Sequence, residues 1–246
     1  WALLNRGNAA TNWQAAVELF EHALALDERN VDALAGLSIA HSLLGINWVT
    51  DQPVQHLQIA EKAALKAVTL GSDDARAHYA LGRVLIGLDR GEEAIGELDR
   101  ALDLDPKMAP AHGTLGMCKR FLGRPEESEG HARKALQLSP RDPQAGTWYF
   151  QIGGAALQLG QFDKAVTWIR RSVEADRRGI ALFFLASALA HQGAISEAKA
   201  AAADGLASHP DFKIRRMIEG APSKKPHFLE QWETVLDGMR KAGLPE

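Results

Sequence analysis

The sequence predicts an all-α fold of the solenoid kind, about six helix pairs laid side by side and closed by a C-terminal capping helix. Three observations carry that expectation. The segment 75–142 repeats itself at an interval of 34 residues: Ala75-Arg-Ala-His-Tyr-Ala-Leu-Gly returns as Ala109-Pro-Ala-His-Gly-Thr-Leu-Gly, and Ala101-Leu-Asp-Leu-Asp-Pro as Ala135-Leu-Gln-Leu-Ser-Pro. Small residues stay in phase with that interval at three places. Ser38, Gly82, Gly116, Gly153 and Ala186 mark a first helix. Ala16, Ala60, Ala94, Ser128, Ala165 and Ala198 open a second, and Ala23, Ala67, Ala101, Ala135, Ser172 and Gly205 follow seven residues later. Small side chains let helix axes approach closely while larger apolar neighbours fill the remaining space. Turn signals at Asp89-Arg-Gly, Gly123-Arg-Pro, Gly160-Gln and Gly193-Ala separate the helices of a pair, and glycine suits the left-handed residue that ends many helices.

In chain order, residues 1–30 keep a second helix through Trp13, Ala16, Phe20, Ala23 and Leu26, with a truncated leading helix. The chain opens on Trp1 in mid-repeat, which points to a piece of a longer protein. Unit 31–74 needs about ten extra residues to bring Ala60 and Ala67 into phase, so an insertion is expected at 46–55. Units 75–108 and 109–145 are closed by Pro106 and Pro140, which cannot continue a helix. Units 146–178 and 179–212 follow through Ile152-Gly153 and Leu185-Ala186. Each unit reads as two antiparallel helices of about 14 residues. After Asp211 the phase is lost. Ala221-Pro-Ser-Lys-Lys-Pro226 breaks the chain, and Phe228, Trp232, Val235, Leu236 and Met239 then share one helical face. Residues 213–246 are therefore read as a linker and capping helix, since a solenoid end needs one apolar and one polar side. A helix docked like a peptide is the alternative.

Charge narrows the function classes. With 28 basic and 31 acidic residues the net charge is -3, too balanced to draw nucleic acid or an anionic membrane through the whole-protein field. The one cysteine, Cys118, fits a reducing compartment. No apolar run approaches a membrane span and no secretory signal is visible, so the expected location is cytoplasmic.

These repeats resemble the tetratricopeptide repeat (TPR) family over about residues 1–212. Unit 75–108 carries the family pattern through Leu81-Gly82, Ala94, Leu98, Ala101 and Pro106. Leu115-Gly116, Ala135 and Pro140 carry it in the next unit, then Ile152-Gly153, Phe162, Ala165 and Ile169, then Leu185-Ala186, Ala198 and Pro210. His78 and His112 stand where the family often has Trp, and Pro125 where it often has an aromatic. The resemblance implies a right-handed superhelix whose first helices line a concave groove. It also implies a non-catalytic role in holding a peptide or a partner's helix. A narrower resemblance is to the C-terminal repeat region of bacterial class III adenylate/guanylate cyclases. It is carried by the long second unit with Trp48, the run Leu-Ser-Pro-Arg-Asp-Pro at 138–143, and the ending Met239-Arg-Lys-Ala-Gly-Leu-Pro-Glu246. Related regions follow winged-helix regulators. That resemblance implies a regulatory or oligomerising appendage, with any catalytic residues upstream of Trp1.

No catalytic, cofactor or metal constellation is expected. His78 and His112 occupy equivalent places in adjacent repeats, but zinc wants three or four ligands and no such spacing accompanies them. Cys118 lies six residues beyond His112, on a different helical face. Gly153-Gly154 lacks phosphate-loop spacing. Glu92-Glu93 and Glu126-Glu127 open second helices, where carboxylates oppose the helix dipole.

Carried over from the family's first-helix positions, the protein-binding groove falls on Arg76, Tyr79, Arg83, Met117, Arg120, Phe150, Gln151 and Phe183, with Phe121 and Ser187 beside them. Arginine and aromatics are the types enriched at binding hot spots. Packing between repeats is the competing role for Phe121 and Phe183. Three cations on successive inner helices call for solvent or an anion. Gly36, Ala35 and Ile39 stand where the family's Lys/Asn carboxylate clamp would begin, so a chaperone C-terminus is not the expected ligand. Trp48 in the insertion is a second candidate, with covering the longer connection as the preferred role. Expected partners are thus a protein or peptide, with neither nucleic acid nor membrane, and a homo-oligomer can form through solenoid ends. Helical-repeat RNA binding, one base per repeat, is the remote alternative, opposed by the lack of a basic stripe.

Overall fold

The computed structural model describes residues 1–4, 10–46, 50–175 and 179–246, and among these it holds thirteen α-helices and no strand. They form two compact units, Trp1–Cys118 and Lys119–Glu246. The first unit holds α1 (Ala10–Leu26), α2 (Val31–Ile46), α3 (Pro53–Leu70), α4 (Ala75–Gly87), α5 (Gly91–Leu104) and most of α6 (Ala109–Phe121). The second holds α7 (Pro125–Leu138), α8 (Ala145–Gln158), α9 (Phe162–Ala175), α10 (Gly179–His191), α11 (Ile195–Ser208), α12 (Ile214–Glu219) and α13 (Pro226–Lys241). No helix among the described residues is long and apolar enough to cross a membrane.

Helices pair because a large residue on one fills a notch on the other. A Cβ placed on Gly82 of α4 would lie 2.7 Å from Leu98 Cγ of α5, and one on Gly153 of α8 would lie 2.5 Å from Ile169 Cγ1 of α9. Leu98 and Ile169 are fully buried, each stabilising its hairpin by about 1.5–3 kcal/mol. Phe20 enters the notch at Gly36, and Phe183 the notch at Gly205. The small residues that open the second helices (Ala60, Ala94, Ser128, Ala165 and Ala198) are all at 0% exposure.

The turns repeat as closely as the helices. At Gly123, Gly160 and Gly193 the backbone is left-handed, with φ of 77°, 70° and 82°. The next amide reaches back five residues: Arg124 N to Lys119 O at 2.9 Å, Gln161 N to Ala156 O at 2.8 Å, Ala194 N to Leu189 O at 3.0 Å. This is the Schellman closure. In the first unit Asp89 takes the same conformation (φ 57°), and Arg90 N reaches Leu85 O at 2.9 Å. Asp is one of the few residues besides glycine that tolerates that region. The third small position has its own repeated task. Ala23, Ala67, Ala101, Ala135 and Gly205 each accept the last amide of their helix at 2.8 to 3.0 Å.

Extra length in the second pair goes partly into longer helices. α2 and α3 have 16 and 18 residues, against 13 and 14 in α4 and α5. Trp48, the insertion's aromatic, lies outside the described residues. His41 Nδ1 and His56 Nδ1 meet at 2.8 Å between these two helices. One ring must donate and the other accept, so the contact requires at least one neutral histidine. Burial, then the neighbouring His56, pushes the His41 pKa down to about 4, and burial lowers that of His56 as well. Well above pH 6.5 both rings are neutral in the folded and unfolded chain, and the shift has no effect. As pH falls from 6.5 towards 4 the unfolded chain takes up a proton that the native hairpin refuses, so stability drops. Allowing for water at the more exposed His56, the expected loss is about 1–2 kcal/mol by pH 4.5. Thermal melts at pH 7.5 and 4.5 check this, with His41→Gln expected to flatten the difference.

The C-terminal helix α13 packs chiefly on α10 and also on α8, the first helices of their pairs. It covers apolar surface as a capping helix does, and the surface it covers is the first-helix face of the second unit. Its stripe of Phe228, Trp232, Val235, Leu236 and Met239 is buried within the second unit's core, which also takes in Ile214 and Met217 of α12.

Candidate functional site

In the first unit the expected binding residues sit on α4 and α6. Asp74 caps α4, its carboxylate accepting from Arg76 N at 2.8 Å and Ala77 N at 3.1 Å. The Arg76 guanidinium pairs with Asp32 of α2 and lies over the Trp1 ring, 5.4 Å from its centroid. Trp1 Nε1 donates to the other Asp32 oxygen at 2.7 Å. Arg76 therefore already has an anion, and the cluster is solvent-exposed, where such pairs contribute little. Arg83 donates through Nε to Ser42 Oγ at 3.0 Å and is half-buried, as is Met117, while Tyr79 is buried. His78 is held by Glu97 at 2.6 Å and Ser72 O at 3.0 Å, and His112 bonds Pro106 O at 3.3 Å. Cys118 donates to Gly91 O at 3.2 Å. These are packing contacts. Among the described residues no group of three His, Cys, Asp or Glu could hold a metal.

In the second unit the residues divide. Phe183 is 1% exposed and stacks 3.7 Å from Phe212, against Gly205 of α11. It faces the second helix of its pair because Gly205 leaves room for its ring. Phe184, the next residue and so turned about 100° around the helix, occupies the first-helix face instead. Phe150 meets Phe184 edge-on at 4.8 Å, Phe184 meets Trp232 at 5.7 Å, Trp232 stacks on Phe228 at 5.3 Å, and Phe228 meets Phe121 at 6.0 Å. Arg120 completes the circuit, lying over Phe121 at 5.0 Å and Phe150 at 5.7 Å. Edge-to-face aromatic pairs and cation–π contacts each add to simple burial.

Arg120 is 3% exposed, and its Nε and Nη1 are buried without a hydrogen-bond partner among the described residues. Burial pushes its pKa down to about 10, which leaves it protonated at neutral pH. Gln151 and Gln158 of α8 are buried too, with Gln151 Oε1 and both amide atoms of Gln158 unpartnered. Of the three arginines expected on the inner face, then, Arg76 is paired and Arg83 hydrogen-bonded. Arg120 alone of the three keeps buried nitrogens without a polar partner.

The α13 helix is fixed to this face by more than apolar contact. Ser187 Oγ donates to Val235 O at 2.8 Å, and His191 Nε2 bonds Thr234 O at 2.8 Å. A Cβ on Gly238 would fall 2.6 Å from Ser187 O, so the two helices touch backbone to backbone. Sequence reasoning singles out Ser187, Phe121 and the stripe on α13. It misses Phe184 and Gln158, and it offers a docked helix only as the alternative and without naming the face that receives it, because a 3.6-residue period gives a face but not its counterpart.

Elsewhere a cavity of about 390 Å³ is lined by Gly160, Gln161, Phe162, Asp163, Lys164 and Gln192. Its Asp163 accepts from Gln192 at 2.5 Å and its Lys164 is paired with Glu129. No nucleophile–base arrangement appears among these lining residues.

Two family models, each described as tetratricopeptide repeat, match residues 55–109 and 107–178. No curated protein matches the sequence. Among solved structures, PilW, a widely conserved type IV pilus biogenesis factor, is 19% identical with TM-score 0.64, over 85% of this chain and 91% of that one. A thermophilic TPR protein from Thermus thermophilus is 21% identical with TM-score 0.59, over 73% and 91%. YrrB, a TPR protein with an unusual peptide-binding site, is 21% identical with TM-score 0.50, over 80% and 95%. At these identities the likeness is one of fold.

Proposed function

The chain belongs to the tetratricopeptide repeat family, and from that premise we propose that it is a non-catalytic protein-interaction module. Its first-helix faces receive a peptide or a partner's helix. One observation carries the reading: the face of α8 and α10 holds an amphipathic helix already, α13, through an aromatic circuit and two hydrogen bonds to its backbone carbonyls. A surface that seats one such helix has the shape and chemistry for others, with anchors at i, i+4, i+7, i+8 and i+11. The unusual peptide-binding site of YrrB agrees with this use of the fold. In the first unit the corresponding contacts are Arg76, Arg83 and Met117, with Tyr79 behind them. A role as the regulatory or oligomerising end of a nucleotide cyclase rests on sequence resemblance alone.

Calorimetric titration of the 246-residue chain with a partner recovered by pull-down tests the reading. Arg83→Ala is expected to weaken a ligand on the first unit about tenfold, as a central arginine does in many interfaces. Unchanged affinity after Arg76→Ala and Arg83→Ala together removes that face from the function. A gel shift with mixed RNA at low salt, expected to show no complex, separates the reading from nucleic-acid binding.

A further inference from the structure

One buried cation in the second unit lacks a counter-charge. Arg120 lies in the last turn of α6 at 3% exposure, and its Nε and Nη1 have no hydrogen-bond partner among the described residues. Burial pushes its pKa down to about 10, and no carboxylate among the described residues counters that shift. The charge nevertheless remains at neutral pH. The Phe121 and Phe150 rings lie 5.0 and 5.7 Å from the guanidinium carbon and attract it. Such contacts recover less than desolvating an unpaired charge costs, and they leave the N–H donors without acceptors. Other polar groups gather at the same point. A Cβ on Gly154 of α8 would lie 2.8 Å from Arg120 Nη1 and 3.8 Å from Phe184 Cε1, so α8 meets the guanidinium at that glycine. A helical side chain leans back over the preceding turn, which places Gln158, four residues on, above Gly154. Both of its amide atoms are buried and unpartnered, as is Oε1 of Gln151 on the turn before.

We propose that a small singly charged anion, of chloride's size and charge, binds between Arg120 and Gln158 and holds the end of α6 to α8. Arg120 donates to it through Nη1, the nitrogen against Gly154, and Gln158 donates through Nε2. The positive charge is delocalised over the whole guanidinium, so one anion at Nη1 neutralises it. Water at the same place would satisfy the donors and leave the charge uncompensated, whereas an anion does both. Charge-assisted hydrogen bonds of this kind are among the strongest a side chain makes. A monovalent ion matches the single cation. Sulfate or phosphate would bring a surplus negative charge into an enclosed place, where it is costly. At 3% exposure the guanidinium is reached by an ion and not by a partner's side chain.

Thermal melts of the 246-residue chain at constant ionic strength, with gluconate exchanged stepwise for chloride, test the proposal. The melting temperature should rise saturably, by about 3–6 °C once chloride reaches roughly ten times its dissociation constant. Bromide should substitute for chloride. Arg120→Met removes the charge and the donors while keeping an apolar stem, and its melting temperature should not respond to the exchange. No rise in the unaltered chain, or an equal rise in Arg120→Met, overturns the proposal. A second measurement needs no variant: in crystals grown from bromide, anomalous scattering should place an ion in contact with Arg120 Nη1. Water there, without an anomalous signal, overturns the proposal. A bromide peak without the Arg120-dependent rise marks an adventitious ion only, and overturns it as well.

Discussion

Replacing Gly153 by valine is expected to cost about 3 kcal/mol and to open the α8–α9 hairpin. The first added carbon would sit 2.5 Å from Ile169 Cγ1, 3.0 Å from Ile169 N and 3.2 Å from Ala165 O. Two of those three atoms are backbone, so no rotamer change relieves the collision and the helix axes must part. Urea unfolding followed by circular dichroism measures the loss. Ile169→Ala should restore only part of the stability of Gly153→Val, because it removes the side-chain clash and leaves the backbone one. Gly130 is the control. It lies inside α7, and a Cβ there meets nothing within 4 Å, so Gly130→Ala should stabilise by about 0.5–1 kcal/mol. Equal effects at Gly153 and Gly130 would show that helix propensity, and not interhelical distance, governs these glycines.

Trp232→Ala is expected to release α13 from the second unit. The indole is 3% exposed, touches Phe184 and Phe228, and donates through Nε1 to Met217 O at 3.4 Å. Truncating such a side chain in a closed core costs about 3–5 kcal/mol. Here a less costly route exists, since α13 is the last helix and can leave while α8 to α11 stay folded. The global loss is then limited to the free energy of docking, and the damage appears as local opening. Hydrogen exchange should accelerate strongly in residues 226–241 and little in α9 or α11. A dye that reports exposed apolar surface should bind the face left by α13. Leu229→Ala, on the 42% exposed side of the same helix, should shift stability by less than about 0.5 kcal/mol. Unchanged protection of 226–241 in Trp232→Ala would mean that the stripe does not hold the helix.

The two substitutions probe different levels at which this chain encodes its structure. Gly153 is readable from the sequence because Gly82 and Gly116 occur at the same phase of their own repeats, and a recurring small residue implies a recurring close approach of helices. The left-handed turns at Gly123, Gly160 and Gly193 are legible for the same local reason. Positions within the binding face are less so. Arg83 and Arg120 fall on different inner-face positions of their units, the ninth and the twelfth, and one donates to Ser42 while the other keeps two buried nitrogens unpaired. Phe183 and Phe184 are adjacent and equally apolar. Which of them fills the notch at Gly205 depends on the rotation of α10 against α11.

By itself the amino-acid order determined the helices of the repeats and α13, their pairing into hairpins and most of the points of closest approach, whereas α12 lies in the stretch it reads as linker. Those features depend on contacts between near neighbours in the chain, repeated often enough to be seen. Only the tertiary structure decided that the C-terminal stripe lies on α8 and α10, that it closes an aromatic circuit beside an unpaired Arg120, and that two histidines share one hydrogen bond. The reason is physical: an amphipathic face states how much apolar surface must be covered, while its partner is selected by shape and charge brought together from distant parts of the chain.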